Sequence, residues 1–237
     1  VLNVTDGDAA LLQVPCPMSA WPGCVELAPE TVLPLPDGLA PIKALPSAHD
    51  ETKAFLIGCC NILIDAEDDL NALDAKSGDG DTGSTLSAAA RALVVAMDSL
   101  PLADHTQLYR AIGQELSQTM GGSSGVLLAI FFAAAGDASS SGMPMRQALM
   151  AGLERMQEIG GARPGDRTMI DALLPALTAL EDSLAAAAKA ARAGADHTAT
   201  LTRANAGRAS YINAEQLQGH VDPGAEAVAR LFGHLSA

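Results

Sequence analysis

From Asp50 onward, apolar residues recur at helical spacing. Phe55, Cys59, Ile62, Ala66, Leu70 and Leu73 follow one another at steps of three or four and form one stripe on a long amphipathic helix. Gly78 to Gly83 breaks the pattern. A second helix is expected to carry Leu86, Ala90, Leu93 and Met97, and a third Leu108, Ile112 and Leu116. Gly121-Gly122-Ser123-Ser124-Gly125 then opens a helix, Val126 to Ala135, that is apolar on all sides and so reads as buried. The spacing predicts a fifth helix from Pro144 to Ile159. A sixth starts near Asp166 and should be kinked by Pro175, and a seventh covers the alanine-rich stretch Leu184 to Ala193. Thr198 to Asn205 reads as an eighth. Asp222-Pro223-Gly224 begins the last, with Asp222 as N-cap and Pro223 as first helical residue. No alternating segment follows residue 50, so residues 51–237 are expected to be an all-α array of about eight or nine helices.

Residues 1–50 differ. Eight of the 13 prolines lie here, from Pro15 to Pro46. Proline at this density blocks helices and favours extended chain. The expectation is a linker, preceded by a remnant strand around Ala9 to Val14. The first residue is valine rather than methionine, as in a piece of a longer protein.

Composition agrees with the helical pattern. Hydrophobic residues make up 49% and aromatics 3%, and much of the apolar share is alanine and leucine, the best helix formers. The formal net charge of −14 changes the functional picture. It argues against nucleic acid and anionic membrane as partners. It would also repel a nucleotide unless cations and backbone dipoles reversed the field locally. Cys16, Cys24, Cys59 and Cys60 show no zinc-type spacing, and the adjacent pair reads as core thiols. No basic stretch precedes an apolar one at the N-terminus, and the apolar run Gly125 to Ala135 reads as too short to span a bilayer. The chain is therefore expected to be cytosolic. His49, His105, His197, His220 and His234 are scattered and receive no role.

The most informative segment is Leu73-Asp74-Ala75-Lys76-Ser77-Gly78-Asp79-Gly80-Asp81-Thr82-Gly83-Ser84-Thr85. Asp74 closes one helix. Asp79 and Asp81 stand two apart in a glycine-rich loop, where alternate residues can project to one side and meet Asp74 across the turn. Three carboxylates this close repel one another, and a hard divalent ion such as Mg2+ relieves that repulsion. An acidic capping turn fits the same letters. The twelve-residue calcium pattern fails, since no glutamate stands at its last position. Spacing alone leaves the metal and capping readings both open.

Other segments are weaker alone. Gly122, Ser123 and Ser124 open a helix whose N-terminal N–H groups suit a phosphate, or else simply cap it. No lysine follows those glycines, so the segment is not a Walker loop. Asp166 suits a cap, and Arg167 or Thr168 a phosphate or nucleotide. Arg208, between small residues, suits a bidentate phosphate contact or is a surface cation. The Asp222-Pro223-Gly224 turn lies against an adenine or ribose, or is only a cap.

Taken in order, LNALDAKSGDGDTGST, MGGSSGVL, PGDRTMIDAL, ANAGRASYI and DPGAEAVA resemble the C-terminal, nucleotide-binding domain of the dihydroxyacetone kinases, over about residues 52 to 235. The resemblance implies a closed barrel of about eight antiparallel amphipathic helices. It implies two Mg2+ ions held by Asp74, Asp79 and Asp81 on the phosphates of ATP or ADP. Thr82, Gly83, Ser84, Thr85, Gly122, Ser123 and Ser124 would meet the phosphates. Thr168, Met169, Arg208, Asp222, Pro223 and Gly224 would line the nucleotide pocket. One branch of the family uses ATP directly, and the other keeps ADP bound and is rephosphorylated by a sugar phosphotransferase system. The second branch carries a GDADHG loop, whereas this chain has Gly78-Asp79-Gly80-Asp81-Thr82-Gly83, as the ATP-using branch does. Residues 1–50 resemble the end of the substrate-binding domain and its linker. In the family that separate domain holds the small ketose on a histidine, so the implied partner is a dihydroxyacetone-binding domain, in a full-length homodimer. A non-catalytic helical domain binding a metal or lipid is the alternative of another class.

Overall fold

A computed structural model describes residues 44–236 together with Thr5, Gly7, Ala10 and Val14; the side chain of Arg208 is not among the described groups. The chain divides into Val1–Ile42 and Lys43–Ala237. The remnant strand expected around Ala9 to Val14 falls outside the described residues, except for Ala10, which is helical, and Val14.

The larger unit is all-α among the described residues. Its helices are α1 (Asp50–Asp65), α2 (Glu67–Asp74), α3 (Thr82–Ala96), α4 (His105–Thr119), α5 (Gly122–Ser140), α6 (Met145–Gly160), α7 (Ile170–Ala179), α8 (Leu184–Thr198), the single turn α9 (Ala214–Leu217) and α10 (Pro223–Leu235). Packing passes from α1 and α2 to α3, then through α4, α5, α6, α7 and α8 to α10, which returns to α1 and α2. Residues ahead of α1 belong with this unit too. The Leu102 N–H donates to the Ser47 carbonyl at 3.0 Å, and the Ser47 N–H donates to the Leu100 carbonyl at 3.2 Å.

Neighbouring helices run antiparallel and approach closely through glycine. A β-carbon on Gly83 would run into the Glu67 carbonyl oxygen, one on Gly152 into that of Phe131, and one on Gly194 into that of Asp171. Leucine, methionine and alanine fill the space between helices. Phe131, Leu153, Met156, Ile170, Leu177 and Val228 form one cluster, and Met97, Leu108, Ile112, Leu116 and Met120 another. A chain of charges, Asp69–Arg230–Glu226–Arg192–Asp196, ties α2 to α8 across α10.

Several expectations need correction. The first stripe does not form one helix: Ala66, at φ −86° and ψ 0°, separates α1 from α2. Within that stripe Cys60 rather than Cys59 is buried, and Phe55 is 52% exposed. Burial raises both thiols, that of Cys60 to about 11, in line with inert core cysteines. The apolar helix α5 is not buried all round, since Val126 is 58% exposed. It also extends past the apolar run at both ends. At 19 residues it is long and apolar enough by length and composition to cross a membrane; here it lies between α4 and α6, with Phe131 and Ala135 in the core. The sixth helix starts at Ile170, because Gly165 to Met169 forms a turn. The helix expected over Thr198 to Asn205 is absent: α8 runs through to Thr198, and residues 199–207 are non-helical.

The helix crossings predict opposite signs for two glycines. Gly152→Ala should destabilise by about 1–3 kcal/mol through overpacking against α5. Gly233→Ala, with nothing near its added β-carbon, should stabilise by about 0.5–1 kcal/mol. Urea unfolding of both variants measures the difference.

Candidate functional site

The antiparallel order brings every glycine-rich or polar motif to one end of the helices. The α2–α3 loop (residues 75–81), the α4–α5 turn (120–121), the α6–α7 loop (161–169) and the long α8–α10 connection (199–222) all emerge there. Contacts close two of these connections. The Asn71 side chain donates to Ser84 Oγ at 2.9 Å, across the α2–α3 turn. The Asp222 N–H donates to Thr198 Oγ1 at 2.8 Å, joining the last turn of α8 to the start of α10.

At the α2–α3 loop the structure brings Asp74, Asp79 and Asp81 together, with a carboxylate oxygen of each within 4.8 Å of the others. Asp74 is 7% exposed, and the other two are exposed. The loop closes around Asp74. Its Oδ2 accepts the N–H groups of Gly80, Asp81 and Thr82 at 3.1, 2.9 and 3.1 Å. Its backbone carbonyl accepts those of Ser77 and Gly78. Gly80 holds φ 81°, which an L side chain resists, and a β-carbon on Gly78 would collide with Asp74 Oδ1. Both glycines are therefore dictated by the placement of one carboxylate. Three carboxylates and a hard-oxygen donor set fit Mg2+ or Mn2+.

The other expected residues divide. Thr82, Gly83, Ser84 and Thr85 form the first turn of α3, whose N-terminus faces the aspartates. Within it Gly83 is buried against α2, and the Ser84 side chain is engaged by Asn71 and Glu67. Gly122, Ser123 and Ser124 are exposed on the first turn of α5, at the same end. Thr168 and Met169 precede α7, and Asp222, Pro223 and Gly224 start α10. These two segments touch: a β-carbon on Gly224 would lie 3.2 Å from Met169 Cβ. Asp222 caps α10 by accepting the Ala225 N–H at 2.8 Å. The Arg208 backbone lies in a short 3-10 turn, residues 208–211, within the α8–α10 connection.

Sequence reasoning missed the residues that lock these loops together. Asp171 accepts the N–H groups of Gly165 and Thr168 and so folds the turn before α7. Asp166 does not cap α7, whose N-cap position is Met169: it accepts the Arg163 N–H at 2.7 Å and the Asn205 amide at 2.8 Å, pinning the ANAGRASY segment to the α6–α7 loop. Arg167 does not reach outward. Its guanidinium is buried and donates to the His220 carbonyl at 2.8 Å. The negative charge of Asp74 adds to the rise in the Asp222 pKa. Clefts of 190 Å³ (Pro46 to Asp50, Lys53, Asp98, Leu102) and 390 Å³ (Ile62, Asp65, Ala66, Arg230, His234) contain none of these residues.

Residues 76–237 match the family model of the DAK2 domain. The chain belongs to that family. The chain is 46% identical to a dihydroxyacetone kinase of Citrobacter freundii over 223 residues, 92% of this chain and 40% of the relative. It is 37% identical to the triokinase/FMN cyclase of Homo sapiens over 238 residues, 90% of this chain and 40% of the relative. The chain thus spans about two fifths of the length of the curated relatives it matches. The crystal structure of the C. freundii dihydroxyacetone kinase superposes with a TM-score of 0.77 at 41% identity, covering 98% of this chain and 42% of that one. The crystal structure of the C. freundii enzyme in complex with AMP-PNP and Mg2+ superposes with a TM-score of 0.75 at 39% identity, with the same coverage.

Burial pushes the Asp222 carboxyl up to about 6 from an ordinary 3.8. The Ala225 N–H and Arg167 pull it back, and the charges of Asp171 and Asp74 add to the rise. The folded state thus keeps a proton that the unfolded chain loses first, and native stability from this group falls as pH rises through that window. Asp222→Asn keeps an acceptor for the Ala225 N–H. Without divalent ions, its stability relative to the wild type should improve from pH 4 to pH 7.5 by on the order of 2–3 kcal/mol. Urea unfolding at the two pH values tests this; a pH-independent difference would contradict it.

Proposed function

We propose that this chain is the nucleotide-binding, phosphoryl-donating part of an ATP-dependent dihydroxyacetone kinase. The observation that carries the reading is the convergence of Asp74, Asp79 and Asp81 around a backbone-clamped carboxylate, at the end of the molecule where the other motifs meet. The relative solved with AMP-PNP and Mg2+ supports magnesium and an adenine nucleotide as the ligands.

In this reading the three aspartates hold up to two Mg2+ ions, and the metal supplies the positive charge that offsets the triphosphate and the chain's own −14. Residues of the chain do the rest. Thr82, Gly83 and Thr85 at the start of α3 and the N–H groups of Gly122, Ser123 and Ser124 at the start of α5 orient the phosphate oxygens. Arg208 stabilises charge that develops on the transferred group. Thr168, Met169 and Asp222 to Gly224 receive the nucleoside. Transfer to a hydroxyl needs in-line positioning and charge neutralisation more than covalent help from the protein. The acceptor, dihydroxyacetone or a similar short sugar, comes on a partner substrate-binding domain. Residues 1–50 would be the linker and the end of that domain, 51–237 the nucleotide domain, and the full-length enzyme a cytoplasmic homodimer. Gly80 and Thr82 in the loop favour direct use of ATP over a stored ADP.

Asp79→Ala should weaken magnesium-dependent ATP binding by on the order of a hundredfold or more while the circular dichroism melt stays close to wild type. Calorimetric titration with Mg2+ present measures it, and unchanged affinity refutes the assignment.

A further inference from the structure

The buried guanidinium of Arg167 has no place in the scheme above. Arg167 is 1% exposed and is the non-glycine residue with positive φ among those described, at 62°. That backbone region is strained for a side chain of this kind. Its Nη2 donates to the His220 carbonyl at 2.8 Å, while Nε and Nη1 have no hydrogen-bond partner among the described residues. A buried cation with one formal hydrogen bond is costly, and so is its backbone conformation. The fold keeps both at one position.

What the side chain joins gives the reason. Arg167 immediately precedes Thr168 and Met169. His220 stands two residues before Asp222. The hydrogen bond therefore crosses from the α6–α7 loop to the segment that leads into α10, within a few residues in sequence of the place where Gly224 meets Met169. The charge of Arg167 also acts on Asp222. At this joint Met169 is half-buried with its side chain packed against the core, and Gly224 is half-buried beside it. The buried Asp222 carboxylate, held by the Ala225 N–H, makes this turn a less favourable neighbour for a phosphate than for an uncharged base and ribose.

We propose that Arg167 is a positioning residue for the nucleoside end of the bound nucleotide: it staples the Asp222–Gly224 turn against Thr168 and Met169, so that these two segments form one wall for base and ribose. The proposal rests on the nucleotide reading above and adds a division of labour to it. The aspartate loop holds the polyphosphate independently of the staple.

The test uses calorimetry with Mg2+ and two probes, ATP and inorganic tripolyphosphate, on the wild type and Arg167→Met. The expected result is a loss of ATP affinity of on the order of tenfold or more, with tripolyphosphate affinity within about twofold of the wild type. A general loosening of the domain would weaken both probes together, and that result, or no loss for ATP, overturns the proposal. Should Arg167→Met lack the helical circular dichroism signal, Arg167→Lys keeps the charge without the guanidinium fork. It is read with the same probes, and a selective loss for ATP is again the expected outcome. A wild-type protein that binds neither probe overturns the nucleotide reading itself, which is a different result from a variant that behaves as the wild type.

Discussion

One carboxylate oxygen organises the candidate site. Asp74 Oδ2 accepts three successive backbone N–H groups, from Gly80, Asp81 and Thr82, and so bends the chain that leaves α2 back toward the start of α3. That bend turns Asp79 and Asp81 toward Asp74. The glycines of the loop follow from it: Gly78 leaves room for the carboxylate, and Gly80 takes the backbone angle the bend demands. The result is a concentration of negative charge at the N-terminal end of a helix, where the dipole favours it and a hard cation can settle it.

The helices make that loop useful. Because neighbours run antiparallel and pack in sequence order, chain-distant motifs emerge at the same end without any long-range pairing to arrange them. Their mutual positions are then set by a few polar clips. Asp171 folds the turn before α7, Asp166 holds Asn205, and Thr198 holds the Asp222 backbone. The Asp171 and Thr198 clips are buried or half-buried, so water screens them little, whereas the Asp166–Asn205 bond is exposed. The surface pairs, such as Arg155–Glu158, contribute less.

Much of the fold was legible in the residues. The helical period after Asp50, the start of α10 at Asp222-Pro223 and the break around Gly78 all follow from local preferences that tertiary contacts did not override. The misses have physical causes. Ala66 is an excellent helix former, and nothing local marks it as the point where α1 gives way to α2. Residues 199–207 carry helix-compatible letters, but the Asn205 backbone and side chain are both claimed by Asp166. The three aspartates were legible as a group because their spacing has a chemical meaning. The role of Arg167 was not, because a buried arginine is identified by what surrounds it, here the carbonyl of a residue 53 positions away.

The account stands on the claim that the aspartate loop is a cation cradle for a polyphosphate. Crystals grown with Mn2+ and a non-hydrolysable ATP analogue, measured near the manganese absorption edge, test it most directly. The account predicts an anomalous peak in contact with the carboxylates of Asp74, Asp79 and Asp81 and with phosphate oxygens of the analogue. Ordered density for this loop with no such peak at millimolar manganese would contradict it.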